Sequence, residues 1–439
     1  MNPVDIDPIL KALAAALAGS GPAVRLIPRE PRWQLPAIEE LHDALPNIPG
    51  HPGSASAAAE GRTAGGDAIG EGGAGDDGTG GDAIAEDGTG EDTDDTDTGI
   101  AVIVSTSGST GAPKQTMLST QALAASSAAT AVALGGEGQW LLALPAYYVA
   151  GVQVLVRSLF AGTRPVLMDL SGGFTPQAFV AAAAELTDPV RYTSLVPTQL
   201  QRLLDGPGPD TLAALRRFNA ILLGGSPAGP ALLDAAREAG VRVVTTYGMS
   251  ETCGGCVYDG VPLEGVQVEV RGGRIWLGGE VVASGYRNAP LLTAQSFSVE
   301  DSGNGPVRWY QTADAGELSA DGRLSVIGRV DDVINTGGLK VSANVVAEQL
   351  KLLPGVRDTF VMGVPDKNWG QRVCAAVVGS CSAAELHRDA AEVMSPWSIP
   401  KTVLFVPEIP MLPTGKPDRV RLKRMLEAAG PGTSNAEAE

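Results

Sequence analysis

The sequence predicts an α/β protein with a large N-terminal α/β domain that contains a β-subdomain, followed by a small C-terminal α+β domain. Between residues 100 and 245, short apolar or β-branched runs alternate with helical patterns. From Val261 to Val326 the pattern changes to short strands separated by glycine-rich turns. A second alternation of helices and strands begins after Asp331. We therefore divide the chain into residues 1–330 and 331–439.

The first hundred residues carry two different patterns. Residues 1–50 predict a helix, a short strand at Ala23–Ile27 and a second helix near Ile38–Leu45. Residues 51–99 are acidic, rich in glycine and repetitive, and they contain few apolar side chains. Such a segment cannot offset the entropy cost of ordering, so we interpret it as a disordered insertion. The alternative is an acidic tether that docks a partner.

The remaining elements follow from hydrophobic periodicity and from turn residues. In the large domain, the predicted strands are Ile100–Val104, Trp140–Pro145, Arg164–Met168, Ala220–Leu223 and Val241–Thr245. The predicted helices there are Thr120–Ala133, Val152–Phe160, Phe174–Leu186, Pro197–Leu204 and Thr211–Phe218. In the small domain we predict helices at Asn344–Leu352, Ala383–Met394 and Asp418–Ala429, and strands at Arg357–Val364, Val373–Gly379 and Thr402–Val406.

Composition excludes several classes of protein. The 439 residues include 50 acidic and 32 basic side chains, a formal net charge of −18, so a basic nucleic-acid-binding protein is not expected. The four cysteines are too few for a disulfide scaffold, and the three histidines lie outside the motifs below. The N-terminus lacks the basic region of a secretory signal, and no apolar run predicts a membrane span. We expect a soluble, cytoplasmic protein.

The loop Ser105–Lys114 is the strongest chemical motif in the chain. It follows a predicted buried strand, where an α/β sheet usually binds its ligand. Its small residues permit close approach of the backbone to a ligand, its hydroxyl and amide groups supply donors, and Lys114 supplies positive charge. The Walker A pattern cannot be aligned to it. The loop therefore predicts a phosphate-binding site of another type.

This loop and four later motifs resemble the acyl-adenylate-forming superfamily of acyl-CoA synthetases, luciferases and peptide-synthetase adenylation domains. The matching segments, in the order of the family, are Thr106–Lys114, Thr246–Thr252, Tyr310–Gly316 with Ala313 for glycine, Gly328–Gly338, and Pro410–Lys416 with Leu412 for threonine. The resemblance spans about Ile100 to Arg424 and implies an acyl-CoA synthetase-like fold whose small domain is mobile.

The resemblance implies an ATP site. The residues that would cradle the phosphates are Thr106, Ser107, Gly108, Ser109, Thr110, Gly111 and Lys114. The residues that would surround the adenine are Thr246, Tyr247 and Gly248 on one side and Gly224, Gly225 and Ser226 on the other. Asp314 and Arg329 would hold the ribose hydroxyls.

The implied chemistry is activation of a carboxylic acid. A free carboxylate is a poor acyl donor, and coupling it to AMP creates a leaving group that a thiol can displace. The catalytic residues implied are Lys416, Lys114 and Glu251. Glu251, assisted by Thr110, would hold Mg²⁺, because Mg²⁺ is commonly bound by one carboxylate together with substrate phosphates. Lys416 would bring the carboxylate and the α-phosphate together.

The same resemblance assigns the second half-reaction. Asp331, two residues after the motif arginine, would be the hinge about which the small domain rotates after adenylation. That rotation would remove Lys416 and bring Gly337, Gly338 and Lys340 to the approach route of CoA.

The acid is suggested by two segments. Tyr148 occupies the position of a histidine that lines the acyl pocket in many relatives. Thr193–Leu200 resembles a segment typical of the o-succinylbenzoate–CoA ligases of menaquinone biosynthesis, in which Ser194 and Thr198 could bind the keto group or the second carboxylate. Alternatively, Ser194 or Thr198 only caps a helix. Ser250 and Thr252 complete the predicted substrate residues.

Cys253 and Cys256 form a C-x-x-C pair next to Glu251. A second pair with metal-ligand spacing is missing, which favours structural or pocket-lining cysteines over a metal or redox site.

These inferences predict an ATP-dependent acid–CoA ligase that uses ATP, Mg²⁺ and CoA, with o-succinylbenzoate the favoured acid. The alternatives are a CoA ligase or a carrier-loading adenylation enzyme for another aryl or short-chain acid, or a catalytically silent binding protein. A homodimer is common in the resembled group.

Overall fold

The computed structural model describes residues 6–29, 36–41, 99–106, 114–303, 305–412 and 417–435, without the side chains of residues 331 and 433–435. The predicted insertion at 51–99 lies outside the described residues except for Gly99. Among the residues that are described, no helix is both long and apolar enough to cross a bilayer.

The N-terminal elements form a first sheet. They are helix α1 (Asp7–Leu17) and strands β1 (Ala23–Ile27), β2 (Ala37–Leu41), β3 (Ile100–Thr106) and β4 (Lys114–Ser119). The predicted helix near Ile38–Leu45 is wrong as far as Leu41, since these residues are a strand paired antiparallel with β1; residues 42–45 lie outside the described residues. The spacing of Ile38 and Leu41 mimics a helix, but pairing with β1 overrides this local pattern.

A mostly parallel second sheet forms the centre of the large domain, as the alternation predicted. Its elements are α2 (Thr120–Leu134), β5 (Gln139–Leu142), α3 (Val149–Phe160), β6 (Val166–Leu167), α4 (Pro176–Ala184), β7 (Arg191–Leu195), α5 (Pro197–Leu204), α6 (Pro209–Arg216), β8 (Ala220–Leu223), α7 (Pro230–Glu238), β9 (Val243–Met249), β10 (Gly254–Tyr258) and β11 (Val261–Pro262). The strand order is β11-β10-β9-β8-β7-β5-β6. Strands β6, β5, β7, β8 and β9 are parallel, whereas β10 is antiparallel to β9 and β11 is antiparallel to β10. Prediction missed β7, α7 and β10.

The predicted β-subdomain is confirmed. It comprises β12 (Val266–Arg271), β13 (Arg274–Gly279), β14 (Gly285–Tyr286), α8 (Pro290–Ser296), β15 (Phe297–Asp301), β16 (Pro306–Leu318) and β17 (Leu324–Arg329). Most of these strands form a third, antiparallel sheet. The short strand β14 instead pairs with β4 and becomes the edge of the first sheet. The subdomain is thereby joined to the strand that begins with Lys114.

The C-terminal portion has its own sheet. Its elements are β18 (Val333–Thr336), β19 (Leu339–Ser342), α9 (Ala343–Lys351), β20 (Val356–Asp366), β21 (Gly370–Gly379), α10 (Ala383–Val393), β22 (Thr402–Phe405), α11 (Arg419–Ala429) and β23 (Gly432–Asn435). Its two buried clusters contain residues from Ile334 onward only, and those of the large domain end at Leu324. Separate cores support a boundary near residue 330.

Candidate active site

The predicted phosphate loop is carried on a β-hairpin. Strands β3 and β4 pair antiparallel with Thr106 directly opposite Lys114, and the Thr106 hydroxyl lies 3.5 Å from the carbonyl oxygen of Lys114. No strand was predicted between this loop and the helix at Thr120–Ala133, but β4 lies there, before α2. The alternation of buried Thr116 and Leu118 in β4 was the signal for this strand. Ser107, Gly108, Ser109, Thr110 and Gly111 lie outside the described residues.

Glu251 and Lys114 meet at a tyrosine that the sequence did not single out. The hydroxyl of Tyr286 donates a hydrogen bond of 2.7 Å to Glu251 Oε1, and Lys114 Nζ lies 5.1 Å from the centre of the Tyr286 ring. Tyr286 is 2% exposed and Glu251 is 8% exposed. Burial, and then the nearby carboxylate, raise the pKa of Tyr286 well above its usual range, so the phenol remains a donor. Two predicted catalytic residues thus share one buried contact.

A tight turn holds the backbone of Glu251. Residues Ser250–Thr252 form one 3-10 turn, and Cys253 follows in the left-handed region at φ 52°. The Thr252 hydroxyl accepts from the amide of Met249 at 3.0 Å and donates to the carbonyl of Gly254 at 2.8 Å. These contacts give Thr252 a role in fixing the turn, and its predicted contact with substrate stays a prediction, as does that of the buried Ser250.

The surroundings of Glu251 suit Mg²⁺. Its Oε1 is held by Tyr286, and its second carboxylate oxygen has no hydrogen-bond partner in the part of the chain that is described. No cluster of three or more metal-ligating side chains occurs within the described ranges. A single buried carboxylate with one oxygen uncommitted fits a metal that takes its other ligands from phosphates and water.

The predicted ribose and adenine residues converge. Tyr247 in β9 donates a hydrogen bond of 2.7 Å to Asp314 Oδ2, and Asp314 in β16 stands opposite Arg329 in β17. The Asp314 amide is held by the buried hydroxyl of Thr312 at 3.0 Å. Burial, followed by the Asp314 charge, raises the pKa of Tyr247 far above its usual range, which keeps the donor protonated. Adenine stacking on Tyr247 stays a prediction.

Neighbouring atoms leave no room for a side chain at two glycines of the predicted adenine walls. A Cβ on Gly224 would lie 2.3 Å from Thr246 Oγ1, and one on Gly248 would lie 2.0 Å from the Gly254 carbonyl oxygen. Gly225 adopts φ +85°, and Ser226 follows it in the loop after β8. The carboxyl ends of β8 and β9 therefore carry both predicted walls side by side.

The predicted acyl residues lie around the carboxyl ends of β5 and β7. Tyr148 precedes α3 and packs against Tyr147 with ring centres 4.5 Å apart. Ser194 is buried in β7, and Thr198 lies in the first turn of α5. Neither residue caps α5: the Gln199 side chain accepts from the Val196 amide at 3.0 Å. The capping alternative for Ser194 and Thr198 is therefore wrong.

Gln199 also ties these elements together, a function that sequence reasoning missed. Its amide nitrogen donates to the carbonyl of Ala143, just after β5, at a distance of 2.9 Å. The start of α5 is thereby fastened to the segment that leads to Tyr148. A glutamine three residues into a predicted helix was the available signal, since this is the position of a capping-box side chain.

The cysteine pair is buried in the core of the large domain. Cys253 and Cys256 are both free and fully buried. The carbonyl of Cys253 accepts hydrogen bonds from Ser126 at 3.2 Å and from the side-chain amide of Gln153. Burial raises the pKa of Cys256 to about 12 and that of Cys253 well above its usual range. This environment fits structural cysteines.

The predicted residues for CoA lie on the hairpin of β18 and β19. Gly337 (φ +59°) and Gly338 (φ +83°) form its turn, and Lys340 is exposed. Trp369, which the sequence analysis did not consider, covers Gly337: its carbonyl accepts from the Gly337 amide at 2.9 Å, and Lys401 lies over its ring. Asp331 belongs to the 3-10 turn Val330–Asp332 ahead of this hairpin. Lys416 lies outside the described residues.

Fold and site together define an adenylate-forming enzyme. The family model for AMP-binding enzymes matches residues 2–287, and the model for the C-terminal domain of AMP-binding enzymes matches residues 346–416. The chain therefore belongs to the AMP-binding enzyme family.

Two groups of relatives refine this assignment. The chain is 44% identical to a probable 2-succinylbenzoate–CoA ligase of Mycobacterium tuberculosis over 75% of this chain and 85% of the relative. It is 31% identical to the 2-succinylbenzoate–CoA ligase of Escherichia coli K12 over 71% of this chain and 65% of the relative. Among solved structures, it resembles o-succinylbenzoate CoA synthetase from Bacillus subtilis in complex with the acyl-adenylate intermediate, with 29% identity, a TM-score of 0.64, and coverage of 74% and 69% of the two chains. It also resembles ATP-bound MatB from Rhodopseudomonas palustris, with 28% identity, a TM-score of 0.63 and coverage of 75% and 69%.

Proposed function

We propose that this chain is an AMP-forming 2-succinylbenzoate–CoA ligase, which converts 2-succinylbenzoate, ATP and CoA into 2-succinylbenzoyl-CoA, AMP and pyrophosphate in menaquinone biosynthesis. The observation that carries the proposal is the convergence of Lys114 and Glu251 on Tyr286, next to the paired Tyr247 and Asp314. The 44% identity with a probable ligase of this kind supports the choice of acid.

The reaction has two steps. A carboxylate oxygen attacks the α-phosphorus of ATP, the bond from that phosphorus to the bridging oxygen breaks, and pyrophosphate leaves with the electron pair. The CoA thiolate then attacks the acyl carbon, and the acyl–oxygen bond breaks to release AMP. The thiol proton passes to solvent. Both steps concentrate negative charge, so the protein must supply preorganised positive charge and hydrogen-bond donors.

Different side chains bind the different parts of the substrates. Lys114 and the loop that precedes it bind the β- and γ-phosphates, while Lys416 binds the attacking carboxylate and the α-phosphate. Tyr247, Asp314 and the loop at Gly224 hold the nucleoside. Glu251, together with the phosphates, would hold Mg²⁺, which would supply positive charge near the pyrophosphate.

The acid would lie against Tyr148, with the hydroxyls of Ser194 and Thr198 as candidate donors to its polar substituents. In the described ranges neither hydroxyl has a hydrogen-bond partner within the protein, so both remain available to a ligand. Gln199 sets their position relative to Tyr148.

Exchange of labelled pyrophosphate into ATP tests the proposal. We expect exchange that depends on 2-succinylbenzoate and Mg²⁺ without CoA, and release of AMP and thioester only when CoA is added. Benzoate, short-chain acids and fatty acids serve as comparison substrates. Exchange with those acids but none with 2-succinylbenzoate would refute the assigned substrate, and no exchange with any acid would refute adenylation itself.

Two further proposals rest on the resemblance. The chain would form a homodimer and act in the cytoplasm. Light scattering at several protein concentrations tests the first, and fractionation of cells that express the chain at its native level tests the second.

A further inference from the structure

We propose that Tyr286 is a positioning residue that couples the carboxylate of Glu251 to the ammonium group of Lys114 and so fixes the metal and phosphate contacts of ATP relative to each other. The inference rests on the proposed function, in which Glu251 and Lys114 bind Mg²⁺ and phosphate. It assigns a role to a residue outside the motifs that identify the family here.

The geometry makes one side chain serve both partners. The Tyr286 hydroxyl lies 2.7 Å from Glu251 Oε1, and the ring of the same residue faces Lys114 Nζ at 5.1 Å. A cation over a desolvated aromatic face is attracted to it, and a phenol that donates to a carboxylate makes a charge-assisted hydrogen bond. A movement of Tyr286 would therefore disturb both groups.

The ring itself is rigidly held. Tyr286 pairs with Thr116 across β14 and β4, and its amide donates to Thr293 Oγ1 at 2.9 Å. Phe297 packs against the ring edge-on, with centres 5.4 Å apart and planes at 67°. A Cβ on the preceding Gly285, at φ +145°, would lie 2.5 Å from Thr293 Cγ2, so this approach requires glycine. The ring has little freedom to turn.

The pairing of β14 with β4 places Tyr286 between Lys114 and Glu251. Strand β4 begins with Lys114, at the end of the phosphate loop, and the Glu251 carbonyl accepts from the Ala283 amide at 2.9 Å, just before β14. Backbone bonds thus join the Lys114 strand, the Tyr286 strand and the Glu251 turn. Tyr286 adds a side-chain link at the point where these three segments meet.

The consequence is one orientation for the Glu251 carboxylate. With Oε1 held by Tyr286, the second oxygen is the one presented to a metal. Hydrogen-bonded partners of a metal ligand typically contribute about 10–100-fold to metal affinity by fixing its orientation. A phenylalanine at this position would fill the core equally well but would leave the carboxylate free to rotate.

The test measures metal binding rather than turnover. Mn²⁺ replaces Mg²⁺ as the probe, and its binding is followed by electron paramagnetic resonance with α,β-methylene-ATP, which cannot form the adenylate. We expect Tyr286→Phe to weaken Mn²⁺ binding about tenfold. Tyr258→Phe is the matched control, because Tyr258 is also buried and its hydroxyl lies 3.0 Å from Thr130, away from Glu251.

A second variant separates the ring from the hydroxyl. Tyr286→Met removes both, and we expect the same loss of Mn²⁺ affinity together with about threefold weaker binding of the nucleotide without metal, since Lys114 loses its aromatic support. Tyr286→Phe should leave metal-free nucleotide binding unchanged. If one variant does not fold, the other still reports on the metal.

The outcomes are distinct. Mn²⁺ affinity of the folded variants equal to that of Tyr258→Phe, or tighter than wild type, would overturn the role of Tyr286 while leaving the proposed function intact. A wild-type chain that binds neither the nucleotide nor Mn²⁺ with it would overturn both.

Discussion

Burial determines which of the reactive side chains in this sequence are chemically available. Glu251 is buried yet keeps one carboxylate oxygen without a hydrogen-bond partner within the described ranges, whereas Cys253 and Cys256, close by in sequence, are sealed in the core. The sequence singles out all three, Glu251 through a family motif and the cysteines through their C-x-x-C spacing. Their different surroundings support a ligand-binding role for the carboxylate and a packing role for the thiols.

This contrast predicts the pattern of thiol alkylation. Because burial raises the pKa of Cys256 to about 12, very little of its thiol is ionised at pH 8. We expect iodoacetamide to modify Cys381, which is partly exposed, long before Cys253, Cys256 or Cys374. Peptide mass spectrometry at timed intervals measures this, and the guanidinium-unfolded chain, in which all four react, is the control. Rapid native labelling of Cys256 would contradict the structural interpretation and favour a redox pair.

At the scale of single residues, the sequence identified the reactive side chains better than it identified the residues that position them. Glu251, Asp314 and Tyr247 were predicted from motifs, and the structure brings Tyr247 and Asp314 into contact. Tyr286 was missed because its role depends on pairing between strands far apart in the chain. A tyrosine after glycine carries no local signal of such a contact.

At the scale of elements, the loop after β8 is shaped by contact with the next strand. Gly224→Ala would force its methyl group against Thr246 Oγ1, 2.3 Å away, and so displace the predicted adenine wall. We expect the KM for ATP in pyrophosphate exchange to rise about tenfold, equivalent to about 1.4 kcal/mol. Gly229→Ala is the control, since a Cβ there meets nothing within 4 Å. Equal KM values for the two variants would show that the loop does not contact the nucleotide.

The 3-10 turn Val330–Asp332 is the second element with a testable role. Proline at residue 331 would disfavour the helical conformation of Val330, and would restrict rotation about the backbone at this point. We expect Asp331→Pro to change the rate of single-turnover adenylation by less than about threefold but to slow thioester formation more than about tenfold.

Rapid-quench measurement of the adenylate and of the thioester separates the two steps of the hinge test. Asp331→Ala is the control, because it leaves the backbone free to rotate, and it should slow thioester formation much less. If adenylation falls as far as the overall rate in Asp331→Pro, residue 331 is not the hinge.

Local pattern predicted elements well where burial and periodicity agree. The run Ile100–Val104 is buried throughout and forms β3, and the helix predicted at Thr120–Ala133 is α2. Prediction failed at Ile38–Leu41 and at β4, where pairing with a distant strand decides the conformation. Sheet partners, unlike helical turns, cannot be read from neighbouring residues.

At the scale of the whole molecule, the separate cores on either side of residue 330 fit an enzyme whose two parts rearrange between half-reactions. One contact that joins them is polar: the Asn344 side chain donates to the Ile327 carbonyl at 3.1 Å. Arg419 in α11 pairs with Asp332, the last residue of the turn, at 2.9 Å. The portion that follows the turn is thus tied to it as a unit, which suits rotation about residue 331.

The acidic segment should be dispensable to this architecture, because the strands on either side of it are already held close together. Leu41 at the end of β2 stands opposite Ala23, and Val102 of β3 stands opposite Val24, so β2 and β3 flank β1. Two strand spacings, about 10 Å, separate the two ends. The packing of Ala23, Leu41 and Ile100 in one buried cluster agrees with this distance.

Deleting residues 52–98 would leave residues 42–51 and Gly99 to bridge that gap, and a chain of this length can span about 35 Å. We expect the deletion variant to fold and to keep its KM for ATP and its turnover within about twofold of wild type, since no site residue is moved. It would also lose about 12 of the 18 net negative charges and therefore bind more strongly to a cation exchanger. Steady-state kinetics measure the KM and the turnover, and thermal unfolding shows whether the variant folds. Loss of turnover with an unchanged melting temperature would show that the segment takes part in the reaction, and a variant active alone but unable to recruit a cellular partner would establish it as a tether.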